Sequence, residues 1–131
     1  MDILIVDDDE DKAQLIEIMT VLQSKKIVCN EELIFHRAKD GIEGYEMYDN
    51  IKPDITFMDI NMPRMNGIES IETIRDKDPE AYIVVITSEC DTGVFNKCRE
   101  VGATNVHSTA DLNPLMMVQY LEDVVKRKAN D

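Results

Sequence analysis

The sequence predicts an α/β fold: a doubly wound, five-stranded parallel sheet with helices on both faces. Short apolar runs alternate with amphipathic stretches along the chain, the pattern of strand–helix–strand units. The clearest of these runs are continuously apolar, as expected of strands covered on both faces. The length of 131 residues, without internal repeats, low-complexity segments or a linker, suits one domain over 1–131 and is too short for two.

Taken in order, Ile3 to Val6 is the first buried strand. Leu15, Ile18, Met19 and Leu22 then recur at helical spacing, behind Asp and Glu residues that favour a helix N-terminus. Leu33 to Phe35 reads as the second strand, and segment 24–32 before it either extends the first helix or forms a local insertion. Ile42, Tyr45 and Tyr48 mark the second helix, entered through Asp40 and Gly41. Ile55 to Met58 is a third strand ending at Asp59, followed by a loop with Pro63 and Gly67. Ile68, Ile71 and Ile74 mark a third helix that stops before Pro79. Ile83 to Ile86 is the fourth strand, ending at Thr87 and Ser88. Val94, Phe95, Cys98 and Val101 mark the fourth helix, with Gly102 as its C′ residue. A fifth strand around Asn105 to His107 has the weakest signal, and a last helix runs from about Asn113 to Lys126.

Composition narrows the function. No apolar run approaches the roughly 18 residues of a membrane span, and the N-terminus enters an acidic stretch without signal-peptide character. A cytoplasmic protein is expected. The net charge of −13, from 14 basic against 27 acidic residues, argues against nucleic acid as a partner. It suits solubility, cation binding and basic partner surfaces. Cys29, Cys90 and Cys98 form neither an even set nor a CxxC pair, so a disulfide framework or structural zinc is not expected. Cys98 falls on an apolar helical stripe and reads as core. His36 and His107 stand apart from each other and from any ligand pattern.

Chemistry gathers at the strand ends. Ligands of doubly wound sheets bind beyond the carboxyl ends of the strands. There the sequence places Asp7 and Asp8, Asp59 and Thr87. Each has a plain reading: the acidic run from Asp7 to Asp11 as a helix cap, Asp59 as a turn former, Thr87 as a satisfied strand end. Together they form a more specific pattern. Clustered carboxylates repel and call for a cation; Mg2+ favours oxygen ligands and phosphate; a carboxylate is a competent nucleophile for an aspartyl-phosphate.

Three segments, Ile3 to Asp9 (ILIVDDD), Asp54 to Glu69 (DITFMDINMPRMNGIE) and Ile83 to Ser88 (IVVITS), resemble the response-regulator receiver family. Ala38 to Gly41 and Val101 to Ala103 match lesser signatures, so the resemblance spans nearly the whole chain. It implies the flavodoxin-like and CheY-like strand order 2-1-3-4-5. It also implies Asp59 as phosphoacceptor and metal ligand, Asp8 as second acidic ligand and Asp7 as the residue ordering a metal-bound water. The backbone carbonyl of Asn61 would complete the protein's part of the Mg2+ shell, and Thr87 would be the switch hydroxyl. The implied partners are a histidine kinase or phosphotransfer protein and a downstream protein met by the face of helix four, strand five and helix five.

The pattern breaks at strand five. Where the family carries Lys-Pro, this chain has Thr109 and Ala110, and the aromatic three positions earlier is Val106. No lysine lies between Lys97 and Lys126, so a phosphate-contacting ammonium is expected to be missing. Thr109 would then offer only a neutral hydrogen bond, about half as strong as a charge-assisted one. A non-proline cis bond costs about 2.5–4 kcal/mol, so Thr109–Ala110 is expected to be trans. Arg64, in the Asp59 loop, is either an exposed loop arginine or a substitute cation folded toward the phosphoryl group.

Two functions from different classes remain at this point: a phosphorylated signalling receiver, and a pseudo-receiver that works as an interaction module without phosphorylation. An aspartyl phosphatase is disfavoured because Asn61 stands where the general acid would be. A flavin-binding role lacks a phosphate-cradling loop after strand one.

Overall fold

The computed structural model describes residues 1–27, 31–89 and 91–130. Its elements follow the predicted alternation: β1 (Asp2–Val6), α1 (Glu10–Ile27), β2 (Ile34–Ala38), α2 (Gly41–Ile51), β3 (Ile55–Met58), α3 (Gly67–Lys77), β4 (Ile83–Thr87), α4 (Thr92–Glu100), β5 (Asn105–Ser108), a 3-10 turn (Thr109–Asp111) and α5 (Pro114–Ala129). All strands are parallel, in the order β2-β1-β3-β4-β5.

Strand residues alternate between two cores. Ile3, Ile5, Phe57, Val84 and Ile86 pack against Ala13 and Ile16 of α1 and Met117, Tyr120, Leu121 and Val124 of α5. On the other face, Leu4, Val6, Met58, Ile83, Val85 and Val106 meet Tyr48 of α2, Ile71 and Ile74 of α3, and Cys98 of α4. Burying both faces explains the continuously apolar strands and places Cys98 in the core, as expected.

Local chemistry sets the helix ends. Asp40, Asn66, Asp91 and Asn113 cap α2, α3, α4 and α5, each accepting backbone N–H bonds from the first turn. Pro114 occupies the start of α5, where a missing N–H costs nothing. Gly102, beyond the end of α4, adopts φ +115°, a region open to glycine.

Two expectations need correction. The second strand runs Ile34–Ala38 rather than Leu33 to Phe35. It is an edge strand, and its polar His36 and Arg37 obscure the apolar signal. In α1 only Met19 of the four recurring apolar residues packs against the core. Leu15, Ile18 and Leu22 are exposed, Leu22 by 63%, while Ala13, Ile16 and Thr20 are buried. Thr20, a polar residue that an apolar count passes over, can be buried because its hydroxyl donates to the Ile16 carbonyl within the helix. Of segment 24–32, residues up to Ile27 extend α1, and 28–30 lie outside the described residues.

Candidate functional site

Strand register brings the polar ends together. Val6 pairs with Met58 and Met58 with Val85, so the next residues, Asp7 and Asp59, leave the sheet side by side. Asp59 N–H still donates to the Val6 carbonyl at 2.9 Å, and Asp7 N–H to the Ala38 carbonyl at 2.9 Å. Thr87 ends β4 opposite Ser108 of β5.

Asp7 and Asp59 are buried, while Asp8 is exposed. Each of the three offers a carboxylate oxygen within 4.8 Å of the others. Burial pushes the Asp7 pKa up; the Lys12 ammonium and the Asp9 N–H oppose that, and Asp59 adds to it. Oδ1 of Asp59 accepts from the Ile60 N–H at 2.9 Å.

The loop after Asp59 is tightly held. Gly67 N–H donates to the Ile60 carbonyl at 3.1 Å, and Gly41 N–H to the Met65 carbonyl at 2.9 Å. A Cβ on Gly67 would lie 2.1 Å from the Asp59 carbonyl oxygen, so close approach demands glycine there. Asn61 is exposed, and its amide donates to Glu89 at 3.2 Å. Thr87 is fully buried, with its Oγ accepting from the Glu89 N–H at 3.2 Å.

Thr109 opens the 3-10 turn beyond β5. Its hydroxyl oxygen is buried without a hydrogen-bond partner among the described residues. No cis peptide bond occurs among them, so Thr109–Ala110 is trans, as expected. Arg64 is not folded toward Asp59: its guanidinium holds Asp40 at 2.6 Å.

One cation at the site lay outside the expectations drawn from strand five. Strand five lacks an ammonium, but the site has Lys12, from the first turn of α1. Its Nζ lies 2.9 Å from Asp7 and 3.5 Å from Asp59, with the side chain only 10% exposed. It also donates to the Ile86 carbonyl at 3.0 Å. Sequence reasoning missed it because a lysine after five acids reads as a solvated helix face. The available signal was its place in the first turn, where a cation opposes the helix dipole and needs a reason to be there.

The donor set fits Mg2+: hard oxygen ligands, carrying three formal negative charges against one ammonium. Asp7, Asp8 and Asp59 are the residues that could hold it.

The fold and this cluster together define a class. The chain belongs to the response regulator receiver domain family, whose profile matches residues 3–108. Among curated relatives, the chemotaxis protein CheY of Thermotoga maritima is 36% identical over 89 residues, covering 68% of this chain and 73% of that protein. CheY of Halobacterium salinarum is 34% identical over 101 residues, covering 77% and 78%. Among solved structures, the N-terminal domain of an uncharacterized Wolinella succinogenes protein superposes with a TM-score of 0.81 at 26% identity, covering 99% and 98% of the two chains. The CheX–CheY–BeF3–Mg2+ complex of Borrelia burgdorferi contains a chain that matches with a TM-score of 0.79 at 24% identity, covering 95% of this chain and 89% of that one; that likeness is one of fold.

Proposed function

We propose that residues 1–131 act as one receiver domain, which takes a phosphoryl group on Asp59 with Mg2+ and signals by binding a partner protein. The observation that carries this reading is the convergence of Asp7, Asp8 and Asp59 within 4.8 Å, beside Thr87, at the carboxyl edge of a receiver sheet.

Asp59 is the nucleophile. A carboxylate oxygen forms the new bond to phosphorus while the bond from phosphorus to the donor breaks, its electron pair leaving with the donor imidazole or acetate. Bound Mg2+ would neutralise charge shared between the carboxylates and the phosphoryl oxygens. Asp8 and Asp59 would hold it together with the Asn61 carbonyl, and Asp7 would order a water beside it. The Ile60 N–H fixes the Asp59 carboxylate. Thr87 is the switch hydroxyl, exchanging its bond to the Glu89 N–H for one to a phosphoryl oxygen. Thr109, at the position of the family lysine, offers a second neutral donor.

The domain is a signalling module rather than a turnover enzyme. The phosphoryl donor is a histidine kinase or phosphotransfer protein, and the target meets the face of α4, β5 and α5. No helix among the described residues is long and apolar enough to cross a membrane, and the proposed location is the cytoplasm.

Incubation with acetyl phosphate and Mg2+, read by intact mass, tests this. One added phosphoryl group, lost in Asp59→Ala and on chelating Mg2+, supports it. No uptake, from acetyl phosphate or from a phosphotransfer protein, leaves the pseudo-receiver.

A further inference from the structure

We infer that Lys12 is the phosphoryl-contacting cation of this receiver, supplied from helix α1 instead of strand five. The inference rests on Asp59 being the phosphoacceptor.

An ammonium has three donors and no acceptor. Two are engaged at normal hydrogen-bond length, by the Ile86 carbonyl at 3.0 Å and Asp7 Oδ2 at 2.9 Å. The remaining neighbour, Asp59 Oδ1, lies at 3.5 Å, too far for a strong bond. So Nζ is held on two sides and has its unspent donor beside the reacting carboxylate. Phosphorylation replaces that carboxylate with an acyl phosphate bearing one more negative charge and three acceptor oxygens, within reach of that donor.

The backbone aims the side chain. Oδ1 of Asp9 accepts from the N–H of Asp11 at 3.0 Å and of Lys12 at 3.2 Å, which fixes the first turn of α1. The stem then runs inward and leaves only 10% of the side chain exposed. A lysine in a first turn works against the helix dipole; Asp7 and Asp59 supply the compensation. Arg64, in the loop itself, is committed to Asp40.

Lys12 and Mg2+ also share Asp7. Removing the ammonium therefore has opposite effects on two ligands. The metal loses a competitor, whereas the phosphoryl group loses a partner. A merely structural lysine would weaken both by loosening the pocket.

The test uses Lys12→Met, which keeps the stem and good helix propensity, and Lys12→Gln, so that a loss common to both reports charge. Mg2+ affinity and beryllofluoride affinity in Mg2+ are measured by calorimetry, and uptake from acetyl phosphate by intact mass. The expected result is Mg2+ binding equal to or tighter than wild type. Beryllofluoride binding and phosphoryl uptake each fall at least about tenfold, the scale of one charge-assisted bond. Unchanged beryllofluoride binding and uptake in both variants would overturn the role of Lys12 alone. A parallel loss of Mg2+ and beryllofluoride binding would also overturn it, in favour of a structural lysine. If the wild-type protein neither takes up phosphoryl nor binds beryllofluoride, the Asp59 reading falls and this inference with it.

Discussion

Arg64 meets Asp40 through one carboxylate oxygen, Oδ2, with Nε at 2.8 Å and Nη2 at 2.6 Å. The other oxygen accepts from the Glu43 N–H at 2.9 Å and caps α2. The Glu43 N–H chiefly, and then Arg64, hold the Asp40 carboxyl below its usual range. The pair thus ties the Asp59 loop to the start of α2. With the Arg64 side chain 59% exposed, the tie is weak. Arg64→Ala should lower stability by less than about 1 kcal/mol in urea titration and leave phosphoryl uptake within about twofold of wild type.

Gly67→Ala should do far more damage. Its Cβ would press on the Asp59 carbonyl and the Ile60 backbone, at 2.1 and 2.7 Å, and neither can swing away as a side chain would. A loss of about 1–3 kcal/mol is expected from such overpacking. Slower phosphoryl uptake should accompany it, because the same strain moves Asp59, the proposed nucleophile. Denaturation and intact mass measure the two effects separately.

Asp8→Asn separates metal binding from stability. Asp8 is exposed and contributes one oxygen to the cluster. Calorimetric titration should show Mg2+ binding weakened by about tenfold, since affinity follows the charge of the ligand set. The melting temperature without Mg2+ should hold or rise, because one member of a repelling group has been neutralised.

His107 gives stability a pH dependence. Burial lowers its pKa from the usual 6.5, and Arg99 adds to this while Asp111 opposes it. The unfolded chain therefore binds a proton more readily than the folded one. The contribution of neutral His107 is complete above pH 6.5 and declines as pH falls below it, toward the folded pKa. Tyr120, hydrogen-bonded to the His107 ring, stays protonated throughout, its own pKa raised to about 12 by burial. Urea midpoints measured from pH 7.5 to 5.5 should show this decline in the wild type and a flatter profile in His107→Gln.

How legible these features were in the sequence depends on what each one rests on. The ends of β1, β3 and β4 were readable because each apolar run stops abruptly at a polar residue: Asp7, Asp59 and Thr87. Parallel register then aligns those stops without further information. The orientation of α1 was hidden because it carries apolar residues on both sides. Leu15, Ile18, Val21 and Leu22 face outward while Ile16 faces the core. Spacing alone does not say which stripe is covered. The contacts of Lys12 were unreadable for a different reason, although its place in the first turn of α1 was a signal. Its partners, Asp7, Asp59 and the Ile86 carbonyl, come from the ends of three strands, and the last is a backbone atom with no signature in the sequence.

That last contact ties two distant parts of the chain together. The Ile86 carbonyl lies 74 positions beyond the lysine it anchors. On the ribosome, the acidic residues Asp7, Asp8 and Asp59 are therefore made well before the seat of their counter-ion. A nascent chain that has emerged only through α3 carries mutually repelling charges and no fixed ammonium. Lys12 gains its backbone anchor only when the fourth strand docks against the third. The arrangement of the acidic cluster around its ammonium is thus completed late in synthesis, in step with completion of the sheet.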